Sequence, residues 1–311
     1  MNLISESCQP KFLMAYGRLG SISSPVKKEW IMAHIPHINR VISMAEAASL
    51  VQSGITLGLG GVTMYRRPVA FVRELIRHED RPTNLTLLNF TSGYESDLLV
   101  GAGVIQKTRT CYFGLEIFGL APMFTQAANL GEIQIIEETE ASLAMGIRAT
   151  MAGVGFMPAY AWLGTDLPKL RPDVKTVQDP YSGETLMAFP ALSCDVAVIH
   201  ALIADKRGNA QINQNRGIDM ELAMVAKQVI ITAEKIVDVL DKDVHIPAPV
   251  TTAVVHAPFG AWPTSCYPDY PVGGGEILRY IDACNGEDFE GYLATLLSAE
   301  WGQRVVYSQN A

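Results

Sequence analysis

Apolar and polar positions along this chain fall into blocks whose period alternates between that of a helix and that of a strand. Helical spacing covers 43–53, where Ser43-Met44-Ala45-Glu46 reads as a capping box and Gly54 as the residue that closes the helix. A buried strand at 55–59 runs into Gly60-Gly61, and Pro68 opens a helix to 77 from a first-turn position that proline tolerates. Strands are predicted at 85–90, 109–114 and 133–137, and helices at 95–101, 122–130 and 140–152. Further strands fit 156–161, 185–189, 195–201, 229–233 and 250–256, with helices at 219–228, 274–284 and 287–298. This alternation predicts an α/β fold: an open, mainly parallel sheet with helices on both faces. Ligands of such sheets bind beyond the carboxyl ends of the strands, which singles out the loops after 59, 90, 114 and 137 before any motif is considered.

Two segments break the alternation. Residues 1–40 show no periodicity and no long apolar stretch of the secretory type, so they read as an extension of unknown role, with Met32 as an alternative start. Residues 41–311 then form a single domain, and the proline- and charge-rich stretch around 164–184 reads as a small cap.

Composition narrows the function classes. Of 311 residues, 49% are hydrophobic and 18% charged, enough for a substantial core and against global disorder. No apolar run approaches the ~18 residues of a spanning helix, so no membrane role is expected. A net charge of −8 without a basic block leaves nucleic-acid binding unsupported. Cys8, Cys111, Cys194, Cys266 and Cys284 are odd in number and scattered, which fits buried thiols in a reducing cytoplasm. No metal-ligand spacing is present, His34, His37, His245 and His256 are isolated, and no metal is expected.

Candidate chemistry sits on the strand-end loops. Gly60 and Gly61 let a ligand approach the backbone, whose N–H groups could hold a carbonyl oxygen or phosphate, and Arg66 and Arg67 could pair with phosphates. The alternative is a tight strand-to-helix turn with solvated arginines. Ser92 and Gly93 follow the next strand and either line the same crevice or form an ordinary turn. Glu116 is a lone carboxylate in an apolar stretch, where burial would raise its pKa for acid–base work; the alternative is a structural glutamate bonded to loop N–H groups. Glu137, Glu138 and Glu140 flank a helix start, where carboxylates are stabilising as such, and Glu140 is the catalytic candidate among them. His200 lies in an apolar run and reads as a satisfied core histidine, while Asp205 and Asn209 bond the backbone of a turn.

An ordered series of segments resembles the A subunit of family I CoA-transferases of the glutaconate CoA-transferase kind. It comprises Ser53-Gly54-Ile55-Thr56 running into Gly60-Gly61 and Arg67-Pro68, then Gly114-Leu115-Glu116 and Phe118-Gly119-Leu120-Ala121-Pro122. Asp179-Pro180-Tyr181, Gly183-Glu184, Asp195-Val196-Ala197 and Gly208-Asn209-Ala210 follow, then Thr232 to Val237, Ala257-Pro258 and Pro263 to Pro268. The series spans 41–300. The resemblance implies a CoA-transferase/NagB-like subunit that pairs with a B-type subunit, often as A2B2, uses a coenzyme A thioester as substrate and keeps no permanently bound cofactor. It implies that the thioester-forming glutamate lies on the partner. Glu95, followed by Ser96-Asp97, lacks the glycine of the B-type motif. A related branch, the steroid ring-opening CoA hydrolases, implies a catalytic glutamate after the fourth strand, which falls on Glu140. A third expectation is a CoA-binding subunit without chemistry of its own.

Overall fold

The computed structural model describes residues 38–298. Most of the expected extension, including Cys8, Met32, His34 and His37, lies outside the described residues. The capping box forms as read: Ser43 Oγ accepts the Glu46 N–H and the Glu46 carboxylate accepts the Ser43 N–H, opening α1 (Met44–Ala48). The helix is shorter than the predicted 43–53, because the Leu50 and Val51 N–H groups turn to carbonyls three residues back.

The first half of the chain alternates regularly. β1 (Thr56–Leu59), α2 (Val69–Arg77), β2 (Leu85–Leu88), β3 (Thr91–Ser92), α3 (Tyr94–Gly101), β4 (Ile105–Thr110), β5 (Tyr112–Phe113), α4 (Pro122–Leu130), β6 (Gln134–Glu137) and α5 (Glu140–Met151) follow in order. Then come β7 (Phe156–Ala159), α6 (Leu167–Leu170), β8 (Lys175–Gln178) and β9 (Thr185–Pro190). The chain continues through β10 (Cys194–Asp205), β11 (Ala210–Gln211), α7 (Asp219–Val225), β12 (Ala226–Val237), β13 (Ala253–His256), α8 (Gly274–Asn285) and α9 (Phe289–Leu297).

The main sheet has eight strands, seven in the order β13-β12-β10-β1-β2-β4-β6 and all parallel, with β11 pairing antiparallel to β10. Successive strand residues feed opposite faces, as the pleat requires. Val196 and Val198 pack with Leu57, Leu85 and the apolar side of α2, while Ala197 and Ile199 pack with α5 and α7. On α2, Val69, Phe71, Val72, Leu75 and Ile76 are buried, each worth about 1.5–3 kcal/mol for the larger side chains. The expected open parallel sheet with helices on both faces is present.

Two expectations change. The segments 156–161 and 185–189 do not join the main sheet. They form β7 and β9 of a separate antiparallel sheet, order β7-β9-β8, which with α6 caps α5 around Trp162, Val174, Met187 and Phe189. The excursion is thus larger than 164–184. The strand expected at 109–114 begins at Ile105, where polar Gln106, Lys107 and Arg109 hide the alternation.

Candidate active site

The strand order reverses beside β1: β2, β4 and β6 lie to one side, β10, β12 and β13 to the other. At the carboxyl ends of β1, β2, β4 and β6 a crevice of about 490 Å³ opens. Val62 and Thr63 line it after β1, Phe90 and Thr91 after β2, Cys111, Tyr112 and Glu116 after β4, and Glu138, Thr139 and Glu140 after β6. The four loops singled out by strand order therefore meet, and Glu116 and Glu140 share one cavity.

The glycine loop lies behind this wall. Gly60 N–H donates to Val198 O at 2.9 Å and Gly61 N–H to Asp219 Oδ1 at 2.8 Å, so neither is free for a ligand oxygen. Close packing explains both glycines: a Cβ on Gly60 would meet Asp219 Oδ1 at 2.9 Å, and one on Gly61, at φ +87°, would meet Tyr65 O at 2.5 Å.

Arg66 and Arg67, expected to be open to phosphates, are turned into the fold instead. Both are fully buried. Arg66 pairs with Asp219 at 2.6 Å and donates to His200 O and Asn215 O; Arg67 pairs with Glu95 at 2.5 Å and donates to Gly61 O and Thr91 O. A guanidinium taken out of water is tolerable only with a carboxylate and carbonyls around it. These two side chains spend their donors on the architecture of the loop. Ser92 and Gly93 are also inward. Ser92 Oγ accepts from Asn89 Nδ2 at 3.0 Å, and a Cβ on Gly93 would meet Thr63 O at 2.2 Å.

The loop so held contains a strained residue. Thr63 has φ +42°, unusual for a β-branched side chain, and its N–H is held by Thr91 Oγ1 at 2.8 Å. Its Oγ1 is buried without a hydrogen-bond partner among the described residues.

The two candidate carboxylates sit at the rim. Glu116 is exposed rather than the buried carboxylate expected, and it occupies a turn at φ +55°. Glu140 is exposed at the first position of α5. The capping role falls to its neighbours: Thr139 Oγ1 accepts the Ser142 N–H at 3.2 Å and Ser142 Oγ accepts the Thr139 N–H at 2.8 Å. Glu138 is buried, accepting from Arg109 at 2.6–2.7 Å, from Arg171 at 2.9 Å and from the Ser142 hydroxyl. Glu138 is therefore occupied, whereas the Glu140 carboxylate, like those of Glu116 and Glu137, has no hydrogen bond or ion pair among the described residues. Cys111, half-buried beside it, donates to Phe90 O at 2.8 Å. Burial, then the charges of Glu140 and Glu138, push its thiol up to about 11.

His200 is the expected satisfied core residue: Nδ1 meets Thr232 Oγ1 at 2.9 Å and Nε2 meets Glu234 Oε1 at 2.7 Å. Cys266 completes a buried group in which one ligand atom per residue lies within 4.8 Å of the others. The Glu234 oxygens are already taken by His200, Tyr270 and the Phe259 N–H, and burial pushes the Cys266 thiol up to about 12. The group reads as a hydrogen-bonded core. Asp205 Oδ1 accepts the N–H groups of Arg207, Gly208 and Asn209, as read for the turn, whereas Asn209 Oδ1 accepts the N–H of Ala248, outside it. Sequence reasoning missed Thr63, Arg109 and Arg171; the first carries no side-chain signal for its backbone angle, and the last is remote in sequence from the loop it grips.

The profile of the family described as Coenzyme A transferase matches residues 41–257. The chain belongs to the coenzyme A transferase family. It is 33% identical over 237 residues to the A subunit of 3-oxoadipate CoA-transferase from Pseudomonas knackmussii, covering 74% of this chain and 83% of that protein. It is 30% identical over 278 residues to the cholesterol ring-cleaving hydrolase IpdA subunit of Mycobacterium tuberculosis, covering 82% and 92%. An uncharacterized protein of Archaeoglobus fulgidus is 33% identical over 294 residues, 91% of this chain, and the chain spans 63% of its length. Among solved structures, glutaconate coenzyme A-transferase of Acidaminococcus fermentans superposes with a TM-score of 0.76 at 27% identity, covering 83% of this chain and 88% of that one. A variant of the decarboxylase AibA/AibB gives 0.79 at 29% identity, covering 84% and 99%. This family's relatives thus carry names from three reaction classes.

Proposed function

We propose that this chain is the A subunit of a heteromeric CoA-transferase that moves coenzyme A between an acyl-CoA and a free carboxylate. The thioester-forming glutamate then belongs to a B-type partner, in an A2B2 assembly of the reducing cytoplasm. A glutamyl thioester divides one acyl exchange into two easier steps. The observation that carries the proposal is the state of Glu95: it is fully buried and ion-paired with Arg67, so it cannot attack a thioester. The need for a partner is further supported by Ile117 and Leu120, 91% and 73% exposed on the turn after Glu116, an apolar rim of the kind partners cover. Among the described residues no helix is long and apolar enough to cross a membrane.

The second reading is a CoA-thioester ring-opening hydrolase in which Glu140 is the acid–base group. It is favoured by the freedom of the Glu140 carboxylate in the crevice, with capping done by Thr139 and Ser142. Gly60, Gly61, Arg66, Arg67, Ser92 and Gly93, expected as ligand groups, act in both readings as the scaffold of the crevice wall.

One experiment separates the readings. The chain is co-expressed with its B-type partner and given 3-oxoadipyl-CoA, glutaconyl-CoA or a cyclic-ketone CoA thioester, with succinate as acceptor, and covalent CoA is located by mass spectrometry. A thioester on the partner supports transfer. Absence of an adduct, with activity lost in Glu140→Gln, supports hydrolysis. CoA binding without turnover leaves the chain with a binding role, and an active isolated chain overturns the partner requirement.

A further inference from the structure

The small antiparallel cap has no assigned role, yet it grips three consecutive residues of the loop that ends at Glu140. Arg171 Nη1 donates to Glu137 O at 2.7 Å and to Glu138 Oε1 at 2.9 Å. Trp162 Nε1 donates to Thr139 Oγ1 at 2.9 Å, the same oxygen that caps α5. From the sheet side, Arg109 holds Glu138 through Nε at 2.7 Å. Glu140 is the next residue, and the first of the segment left unbound.

The gripping residues are themselves fixed. The Trp162 indole packs edge-on against Phe189 at 5.0 Å, and the Arg171 guanidinium lies over the same indole at 5.8 Å. Asp173 accepts two bonds from Arg171, at 2.8 and 2.7 Å, and this pairing raises the guanidinium pKa further above its ordinary value. Trp162 also has φ +74°, a left-handed conformation that a bulky side chain rarely adopts. Strain of this kind persists where the surroundings over-determine it, and it concentrates at functional sites. Here its product is an indole N–H delivered to the capping oxygen one residue before Glu140.

We propose that Arg171 and Trp162 are positioning residues through which the cap aims the Glu140 carboxylate into the crevice. The inference rests on the reading of Glu140 as the reacting carboxylate. A carboxylate on an exposed helix terminus would otherwise sample many directions, and misplacement of a reacting group by about 1 Å costs on the order of 100-fold in rate. The cap therefore acts on the reaction without touching the substrate.

The test uses the full chain with its B-type partner and four substitutions: Arg171→Met, Arg171→Lys, Trp162→Phe and Glu140→Gln. Deuterium exchange of the amides at 139–143 is read first. Arg171→Met and Trp162→Phe are expected to speed it there and leave the main-sheet strands unchanged; unaltered exchange in both overturns the proposal, whatever Glu140 does. Turnover of the reacting thioester from the set above is read second. Arg171→Met is expected to lower kcat about 10- to 100-fold with KM within about twofold, Arg171→Lys to restore part of it, and Trp162→Phe to show a smaller loss. In the Glu140→Gln background Arg171→Met should add less than about twofold, because it acts through a carboxylate already removed. A full second loss in that background overturns the proposal. A fully active Glu140→Gln instead removes the reading of Glu140, and the exchange data separate that failure from a failure of the tether.

Discussion

Arg67 and Glu95 face each other at 2.5 Å with neither side chain exposed to solvent. The pair joins the loop after β1 to the start of α3 and holds the carbonyls of Gly61 and Thr91 on the same guanidinium. Removing one partner strands a buried charge. Glu95→Gln and Arg67→Met are each expected to cost about 3–5 kcal/mol in urea unfolding, whereas Arg67→Met combined with Glu95→Leu should recover much of the loss. An additive loss in the double variant would show that the two side chains do not act as a pair.

Thr63 makes an opposite prediction. Val keeps the β-branch and the strained backbone but removes a hydroxyl that is buried without a partner. Thr63→Val should therefore leave stability unchanged or raise it by about 1 kcal/mol. A fall in Tm would reveal a structural bond to that hydroxyl.

Asp97 sets a pH dependence. Burial pushes its carboxyl up to about 6, against the bonds it accepts from Tyr280 and the N–H groups of Phe124 and Met123; the charge of Glu95 adds to the rise. The folded state thus holds the proton more tightly than the unfolded chain. The stability linked to that proton is fully present below the unfolded value near 3.9 and is lost as pH rises through about 6, a difference on the order of 3 kcal/mol. Asp97→Asn should flatten the stability profile between about pH 4 and 6 relative to the parent, measured by urea unfolding across that range.

Cys111 reports the charge of Glu140. Its thiol is raised by burial and then by Glu140, so iodoacetamide should modify it slowly at pH 8. Glu140→Gln should speed that modification severalfold, read at the Cys111 peptide by mass spectrometry. An unchanged rate would place the Glu140 charge away from the crevice.

The parts of the molecule legible in sequence are those fixed by local chemistry. The Ser43–Glu46 box, the Asp205 turn and the strand-end loops depend on residues near one another in the chain or on the order of strands. Arg66 and Arg67 were not legible, because their partners Asp219 and Glu95 come from other elements and a run of two arginines looks solvated until those carboxylates are placed. The Glu116 reading failed on exposure, which apolar neighbours do not encode. The segments around β7 and β9 have strand character, but periodicity does not say which sheet a strand joins. The loop carrying Glu140 was legible; the cap residues that hold it were not.

The position of β1 between β2 and β10 has a consequence for biosynthesis. β1 pairs with β2 through Leu57 and Leu87 and with β10 through Leu57 and Val196. A ribosome delivers β1, β2, β4 and β6 long before β10, so the nascent half-sheet presents the central strand with one row of unpaired amides and carbonyls. Arg66 waits in the same interval for Asp219. Until the second half emerges, the strand that ends at the centre of the sheet is an open edge, a row of backbone groups prone to pair with a stranger.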